Sequence, residues 1–205
     1  MKYVSLLLTL LLITGCGITG QTVTEVEENQ DCESMEIEAD RDDCYVKLAV
    51  NESNRAYCNI IDDSKTTDYC LQEVAVSTEN LDTCHFIDMQ YWKDVCYKNV
   101  AEASLNPSPC YILPVIKDKD ECFDFIAQGK KDYMLCEEIA DPEKADNCIK
   151  EVALATGARG ICTKSSNAIA ESVCYGTMAV RFSDITICDE ISVDIVKEQC
   201  ILKFS

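Results

Sequence analysis

The apolar positions of this chain repeat every 26 residues from residue 32 onward. In each repeat an apolar stripe follows a cysteine at one, four and five residues, as in Tyr45, Leu48 and Ala49 after Cys44. Positions i, i+1, i+4 and i+5 lie on one face of an α-helix, whereas on a strand they would scatter over both faces. The pattern therefore predicts one long amphipathic helix per repeat.

Three columns of this stripe run through the chain. They are Tyr45, Leu71, Tyr97, Phe123, Ile149, Tyr175 and Ile201; Leu48, Val74, Val100, Ile126, Val152, Met178 and Phe204; and Ala49, Ala75, Ala101, Ala127, Ala153 and Ala179. An alanine in every complete repeat predicts a place where a neighbouring helix comes too close for a larger side chain.

A shorter first helix is predicted around an earlier cysteine of each repeat. The residue three positions after it is apolar in six of the seven repeats, and this spacing places both side chains on one helical face. Asn or Asp stands four positions before it in most repeats, as at Asn54 and Asp184, and these residues favour helix N-caps. Gly160, Ser165 and Gly176 mark the sixth repeat as the loosest.

Fourteen cysteines occupy fixed positions in the repeat, alternately 12 and 14 residues apart. They are Cys32, Cys44, Cys58, Cys70, Cys84, Cys96, Cys110, Cys122, Cys136, Cys148, Cys162, Cys174, Cys188 and Cys200. The units are 32–57, 58–83, 84–109, 110–135, 136–161, 162–187 and a short last one, 188–205. A fixed period predicts units that stack on their neighbours. The expected fold is an all-α solenoid of about seven disulfide-bridged two-helix repeats, with a concave face.

Two regular schemes could pair these cysteines, across the 12-residue or across the 14-residue spacing. The series opens and closes with a 12-spaced pair, so pairing within units uses all fourteen thiols, whereas the other scheme leaves Cys32 and Cys200 unpaired. We therefore predict seven bridges, each joining the two cysteines of one unit. Zinc ligation by these thiols is the alternative, but the Cys-x2-Cys pairs typical of zinc sites are absent.

The fifteenth cysteine, Cys16, lies outside the repeat and follows Lys2 and a short apolar run from Val4 to Ile13. This order is typical of a secretory leader, and the run is too short to span a bilayer. Ile13-Thr14-Gly15-Cys16 resembles the lipobox of prokaryotic lipoproteins, which implies a signal peptide over 1–15 and lipid on the Cys16 sulfur. The alternative is an ordinary signal peptide with an incidental cysteine. Residues 16–31 are polar and acidic, as in a flexible tether.

The cysteine-bridged helical hairpins resemble the Sel1-like repeat proteins and, more distantly, TPR arrays, over residues 32–205 and in architecture only. The 26-residue period is shorter than the roughly 34 residues of a TPR unit, and the TPR pattern Trp-x2-Leu-Gly is missing. The resemblance therefore implies a stacked helical fold but no partner. Export implies an oxidising environment in which disulfides persist.

Charge excludes one class of partner. The chain carries 37 acidic and 18 basic residues, a net charge of −19, so nucleic acid phosphates would be repelled. Anionic lipid headgroups are likewise unfavourable, which leaves the N-terminal lipid as the expected membrane attachment.

An acidic column stands ten residues after the first cysteine of the units. Its members are Asp42, Asp68, Asp94, Asp120, Asp146 and Glu198, with Ser172 in the sixth unit. The column could bind divalent cations or a basic peptide. Alternatively, its carboxylates could favour a helix N-terminus or bond to a neighbouring unit, as is usual for a repeated position.

Catalytic chemistry is not indicated. His85 is the only histidine and stands beside Cys84, which the repeat commits to a bridge, and no hydrolase, zinc-protease or phosphate-loop motif occurs. We predict no enzyme activity, no cofactor and no metal site. His85, Phe86, Tyr91 and Trp92 enrich unit 3 in aromatics, which could serve recognition or helix packing.

Three functions are consistent with these features. The first is an extracytoplasmic, lipid-anchored scaffold, at the cell surface or on the periplasmic side, that binds a protein or peptide. The second is a structural or protective envelope lipoprotein without a specific ligand. The third is an acidic divalent-cation binder.

Overall fold

Seven long α-helices, one per unit, form the framework of the computed structural model, which describes residues 31–205. They span Glu38–Asn51, Ser64–Ser77, Gln90–Ser104, Ile116–Lys130, Pro142–Thr156, Ala168–Phe182 and Asp194–Leu202. No strand occurs within 31–205, and the predicted solenoid of bridged helical repeats is confirmed. The predicted signal peptide, Cys16 and the tether up to residue 30 lie outside the described residues.

A short helical segment precedes each long helix. These segments are Cys32–Ser34, Arg55–Ile60, Leu81–Cys84, Ser108–Ile112, Tyr133–Glu138, Arg159–Lys164 and Ile185–Glu190. All but Leu81–Cys84 are 3-10 helices, which differs from the expected helical face shared by the cysteine and the residue three positions later. That residue ends the segment instead: Ile61 is extended at φ −75° and ψ 127°, donates its N–H to the Cys58 carbonyl, and is buried. A 3-10 turn closes through this i to i+3 bond.

Seven disulfides join the short segment of each unit to its long helix. The bridges are Cys32–Cys44, Cys58–Cys70, Cys84–Cys96, Cys110–Cys122, Cys136–Cys148, Cys162–Cys174 and Cys188–Cys200. Each pair has a sequence separation of 12, as predicted from the 12-residue spacing at both ends of the cysteine series. All fourteen cysteines are buried, so the bridges form part of the core as well as cross-links.

Side-chain caps begin the short segments at the predicted residues. Asn54 accepts a hydrogen bond from the backbone N–H of Ala56 at 3.0 Å, and Asp184 accepts one from Thr186 at 3.0 Å. Asn80, Asn106 and Asp132 make the same bond in their own units. Ala158, at the equivalent position before Cys162, cannot cap and makes no such bond. These bonds satisfy backbone donors that a helix start leaves without partners.

Each complete unit turns from its long helix into the next short segment through one left-handed residue. These residues are Ser53, Glu79, Leu105, Lys131, Gly157 and Ser183. In unit 1, the N–H of the following Asn54 donates to the carbonyl of Ala49 at 2.8 Å, a bond that recurs in four other units. This is the Schellman ending of a helix, which favours glycine, yet only Gly157 has that freedom.

The alanine column lies at the centre of the packing, as predicted. All six alanines are fully buried, at 0% exposure, and contact the core formed by the columns beside them. Because the same alanines supply the carbonyls for most of the helix endings, one small residue allows close approach of the neighbouring unit and also anchors the turn that leads into it.

The apolar core divides at the long helix of unit 5, where it meets unit 6. Buried residues from Cys32 through Val152 form one cluster and those from Ala153 through Cys200 a second, with Ile161 packed against both. In unit 6, Ser165 stands where five other units bury Ile or Leu, and its hydroxyl oxygen is buried with no hydrogen-bond partner in the described residues. A buried polar group without a partner costs stability, which agrees with the predicted looseness of unit 6.

We expect Ser165→Ile to raise the free energy of unfolding by about 1 kcal/mol, because it removes the orphaned hydroxyl and extends an apolar column that Ile139 and Ile191 already occupy. Urea unfolding followed by circular dichroism measures the change. Thr163→Ile, at an exposed position of the same segment, is the matched control and should shift stability by less than about 0.5 kcal/mol. A loss of stability in Ser165→Ile alone would show that the site is already filled.

Candidate binding surface

The acidic column joins consecutive units. Asp68 accepts the backbone N–H groups of Asp88 and Met89 at 3.0 and 3.1 Å. Asp120 accepts those of Ala140 and Asp141 at 2.8 and 3.2 Å. In both cases a buried carboxylate in one long helix binds the backbone immediately before the long helix of the next unit. Of the alternatives for the column, these contacts therefore correspond to carboxylates that bond to a neighbouring unit.

Asp146 acts in the same way, and Ser172 shows that a hydroxyl can take the place of the carboxylate. Asp146 accepts from both the N–H and the hydroxyl of Ser166 at 2.7 Å, and the Ser172 oxygen accepts from Val193 N–H at 3.3 Å. These oxygens are used by the protein itself. Within residues 31–205, no group of three or more His, Cys, Asp or Glu side chains is arranged to hold a metal ion.

Three members of the column depart from this pattern. The donor positions for Asp94 are Pro114, which has no N–H, and Val115, which does not donate to it; Asp94 accepts instead from the side chain of Gln90. Glu198 is exposed. Asp42 is only 5% exposed, yet no described residue donates a hydrogen bond to its carboxylate.

The aromatic residues of unit 3 do not form a single cluster. His85 lies against Tyr97, with 2.6 Å between the imidazole Nδ1 and the phenol oxygen, and no nucleophile is beside it because Cys84 is bridged. Burial raises the pKa of Tyr97, and the Asp94 charge adds to this rise. Trp92 packs against the core and meets the exposed Tyr91 edge-on. The predicted aromatic site is therefore divided between internal packing and the exposed rings of Tyr91 and Phe86.

Cationic side chains cover one exposed and one half-buried ring between consecutive short segments. The Arg55 guanidinium lies 3.6 Å from the centre of the Phe86 ring, and the Lys164 ammonium 5.8 Å from that of Tyr133. The two pairs occupy equivalent positions. In each pair, one residue stands three positions before the first cysteine of a unit, and the other stands two positions after the first cysteine of the next unit. The cation comes first in Arg55–Phe86 and the ring comes first in Tyr133–Lys164. Cation–π contacts of this kind stabilise neighbouring segments, so these rings are partly used by the fold.

The long helices present a second, outward stripe, which we call the outer face. It consists of three positions in each unit: five residues before the second cysteine, one residue before it and three residues after it. Successive positions are four residues apart and therefore share one side of the helix. Every one of them is exposed or half-buried. The outer face includes large exposed apolar side chains in five units, namely Tyr69, Tyr91, Phe125, Ile169, Val173 and Ile195.

Three grooves open between the long helices of consecutive units. The groove of units 1 and 2 has a volume of about 520 Å³, that of units 3 and 4 about 490 Å³, and that of units 5 and 6 about 570 Å³. Each has outer-face apolar side chains in its wall, Tyr69, Phe125 and Val173 in turn. Each also has at least two carboxylates in its wall. The repeat therefore generates recurrent clefts of mixed apolar and anionic character.

Basic residues partly neutralise the negative charge of two of these grooves. Between units 3 and 4, Lys98 donates to Glu121 at 2.8 Å, which lowers the pKa of Glu121. Burial opposes the charge of Lys98, but Glu121, Glu102 and Asp118 outweigh it and raise its pKa. Burial also raises the pKa of Glu102, although Lys98 opposes this. Between units 5 and 6 the wall includes Lys150. The groove of units 1 and 2 has no basic residue in its wall.

Fold and surface together define a disulfide-bridged helical-repeat protein whose outer face carries charges of both signs and exposed apolar side chains. Comparison with models of protein families, with curated proteins and with solved structures gives no match. No helix in the described range is long and apolar enough to cross a membrane. Seven disulfides indicate an oxidising, extracytoplasmic environment.

Proposed function

We propose that this protein is an extracytoplasmic lipoprotein, anchored through Cys16, whose repeats form a scaffold that binds a protein or peptide partner on the outer face of the long helices. The observation that carries this proposal is the alignment of exposed apolar side chains with the grooves between units. Single exposed apolar residues are ordinary, but contiguous ones rimmed by polar groups are typical of interaction sites.

The hydrogen bonds that the acidic column makes bear on the choice between a binding scaffold and a divalent-cation binder. A cation ladder needs free carboxylates, whereas Asp68, Asp120 and Asp146 already accept hydrogen bonds from the next unit. The outer face consists of other positions of the long helices, and of these Glu121 contributes to the contact between units through its ion pair with Lys98. A partner that binds there would leave the hydrogen bonds of Asp68, Asp120 and Asp146 intact, which supports a scaffold over a cation binder.

Lipid attachment is tested by Cys16→Ser. We expect the natural chain to partition into the detergent phase of a Triton X-114 extraction and to carry the mass of a diacylglyceryl group, because acyl chains provide membrane affinity for each buried methylene. The Cys16→Ser chain should move to the aqueous phase with its seven disulfides intact. Detergent partition that survives the substitution would contradict anchoring through Cys16.

Partner binding is tested by placing a photo-crosslinking amino acid at single positions of the full chain in its own membrane. Phe125 and Ile169, on the outer face, are the test positions; Ile60 and Met134, equally exposed but on short segments, are the matched controls. We expect discrete adducts from the outer face and none from the controls. Adducts from no position would favour the second candidate function, a structural envelope lipoprotein without a ligand.

A further inference from the structure

Asp42 is unusual among the buried members of the acidic column. It is 5% exposed, against 2% for Asp68 and Asp120, but neither Asp62 nor Asp63, which occupy the donor positions of the next unit, donates a hydrogen bond to it. A buried carboxylate without a donor is costly, and such groups are paired in nearly all native proteins. Among the described residues, the fully buried side-chain atoms without a partner are those of Gln72 and Ser165, so the Asp42 oxygens keep contact with solvent at the groove, where a donor from another molecule can reach them.

The Asp42 side chain lines the groove between units 1 and 2. Glu38, Asp43 and Asp63 lie in the same wall, and the apolar side chains of Ile37 and Tyr69 stand at its opening, both exposed. The hydrogen bonds from the Thr66 hydroxyl and N–H lower the pKa of Asp63, which keeps that carboxyl charged. Lys47 pairs with Asp43 at 2.5 Å from outside the wall, so Asp42 still faces the groove without a cation.

We propose that this groove binds a lysine or arginine side chain of a basic, partly apolar segment of a partner protein, with Asp42 as the acceptor. This inference rests on the proposed scaffold function and names the chemistry of its partner. The cationic nitrogen donates to Asp42 and the neighbouring apolar residues of the partner pack on Ile37 and Tyr69. The groove volume of about 520 Å³ is within the range of about 300–1,000 Å³ that is usual for binding clefts.

Charge complementarity selects this occupant over two others. The segment 17–30 of the same chain carries Glu25, Glu27 and Glu28 and no basic residue, and a second copy carries the same net charge of −19. Both would be repelled by an anionic groove. A metal ion is also a poor fit, because within 31–205 no three ligand side chains converge on one point.

Binding is measured by the fluorescence anisotropy of a labelled peptide of repeated Lys-Leu pairs, added to the purified full chain. The same peptide with every lysine acetylated is the neutral control. We expect Asp42→Asn to weaken binding of the basic peptide about tenfold, the usual effect of removing a charged hydrogen-bond acceptor. Asp40→Asn, on the same helix but outside the wall, removes the same charge and should change binding less than about twofold.

A second variant covers the case in which Asp42→Asn disturbs folding. Tyr69 is 44% exposed, so Tyr69→Lys should keep the fold and place a cation in the groove in competition with the peptide. Equal binding by Asp40→Asn and Asp42→Asn, or full binding by Tyr69→Lys, would overturn the inference. Adducts at Phe125 and Ile169 would then leave the scaffold function standing, whereas their absence would overturn both.

Discussion

Replacing Cys84 and Cys96 together by alanine lowers the free energy of unfolding by about 3 kcal/mol, the loop-entropy value for a bridge that closes about a dozen residues. The effect should be this large because one unit has little stability of its own. Ordering each residue costs about 1.5 kcal/mol, and a small helical hairpin offsets that cost only with a cross-link or a neighbour. The bridge is fully buried in the middle of the stack.

Urea unfolding followed by circular dichroism measures this loss, and the end of the described stack provides the control. Removal of Cys32 and Cys44 affects a unit that packs on unit 2 alone among the described residues. In a stack with nearest-neighbour coupling we expect that loss to fray one end with a smaller change in the main transition. A midpoint that is the same with and without the Cys84–Cys96 bridge would contradict a stabilising role.

Asp120→Asn lowers the free energy of unfolding by about 3 kcal/mol as well. The carboxylate accepts two backbone N–H groups from unit 5 while buried, and a hydrogen bond to a charged group contributes about 1.5–3 kcal/mol. An asparagine presents one oxygen acceptor and one NH2 donor. One of the two N–H groups therefore loses its acceptor and faces a donor.

Asp94→Asn is the matched control, since Asp94 occupies the same column one unit earlier but faces Pro114, which has no N–H to donate. Its hydrogen bond from Gln90 is on the surface, so we expect a loss below about 1 kcal/mol. Both variants are compared by thermal and urea unfolding at one pH. Equal losses at the two positions would contradict the assignment of Asp120 as a connector between units.

Periodicity was enough to predict the fold because every level of the sequence repeats with the same period. The cysteines determine the pairing, the alanines determine where helices approach, and Asn54 or Asp184 determines where a segment begins. Each of these residue types has a strong local preference that neighbouring units reinforce. Solenoid stacking then follows from the lack of any other way to bury the apolar stripe.

Two features could not be predicted from the pattern, for different physical reasons. The left-handed residues Glu79 and Leu105 carry no glycine signal, because the Schellman bonds of the helix ending impose the conformation against their own preference. Asp42 and Asp68 are identical in sequence and register, and only backbone geometry decides which of them finds a donor. The candidate site therefore depends on the folded geometry of the backbone, whereas the column that contains it is evident from the sequence.

Pairing within units has a consequence for how the chain becomes oxidised during export. A chain that emerges from its N-terminus exposes Cys32 and then Cys44 before any later thiol of the repeat, so joining each cysteine to the next unpaired one produces all seven native bridges. No shuffling by an isomerase is needed. The same rule gives the wrong register if one extra thiol comes first: a free Cys16 would take Cys32 and shift every later bridge to the 14-residue spacing. A thioether at Cys16 would prevent this, and lipidation would then protect the order of the cross-links as well as hold the protein at the membrane.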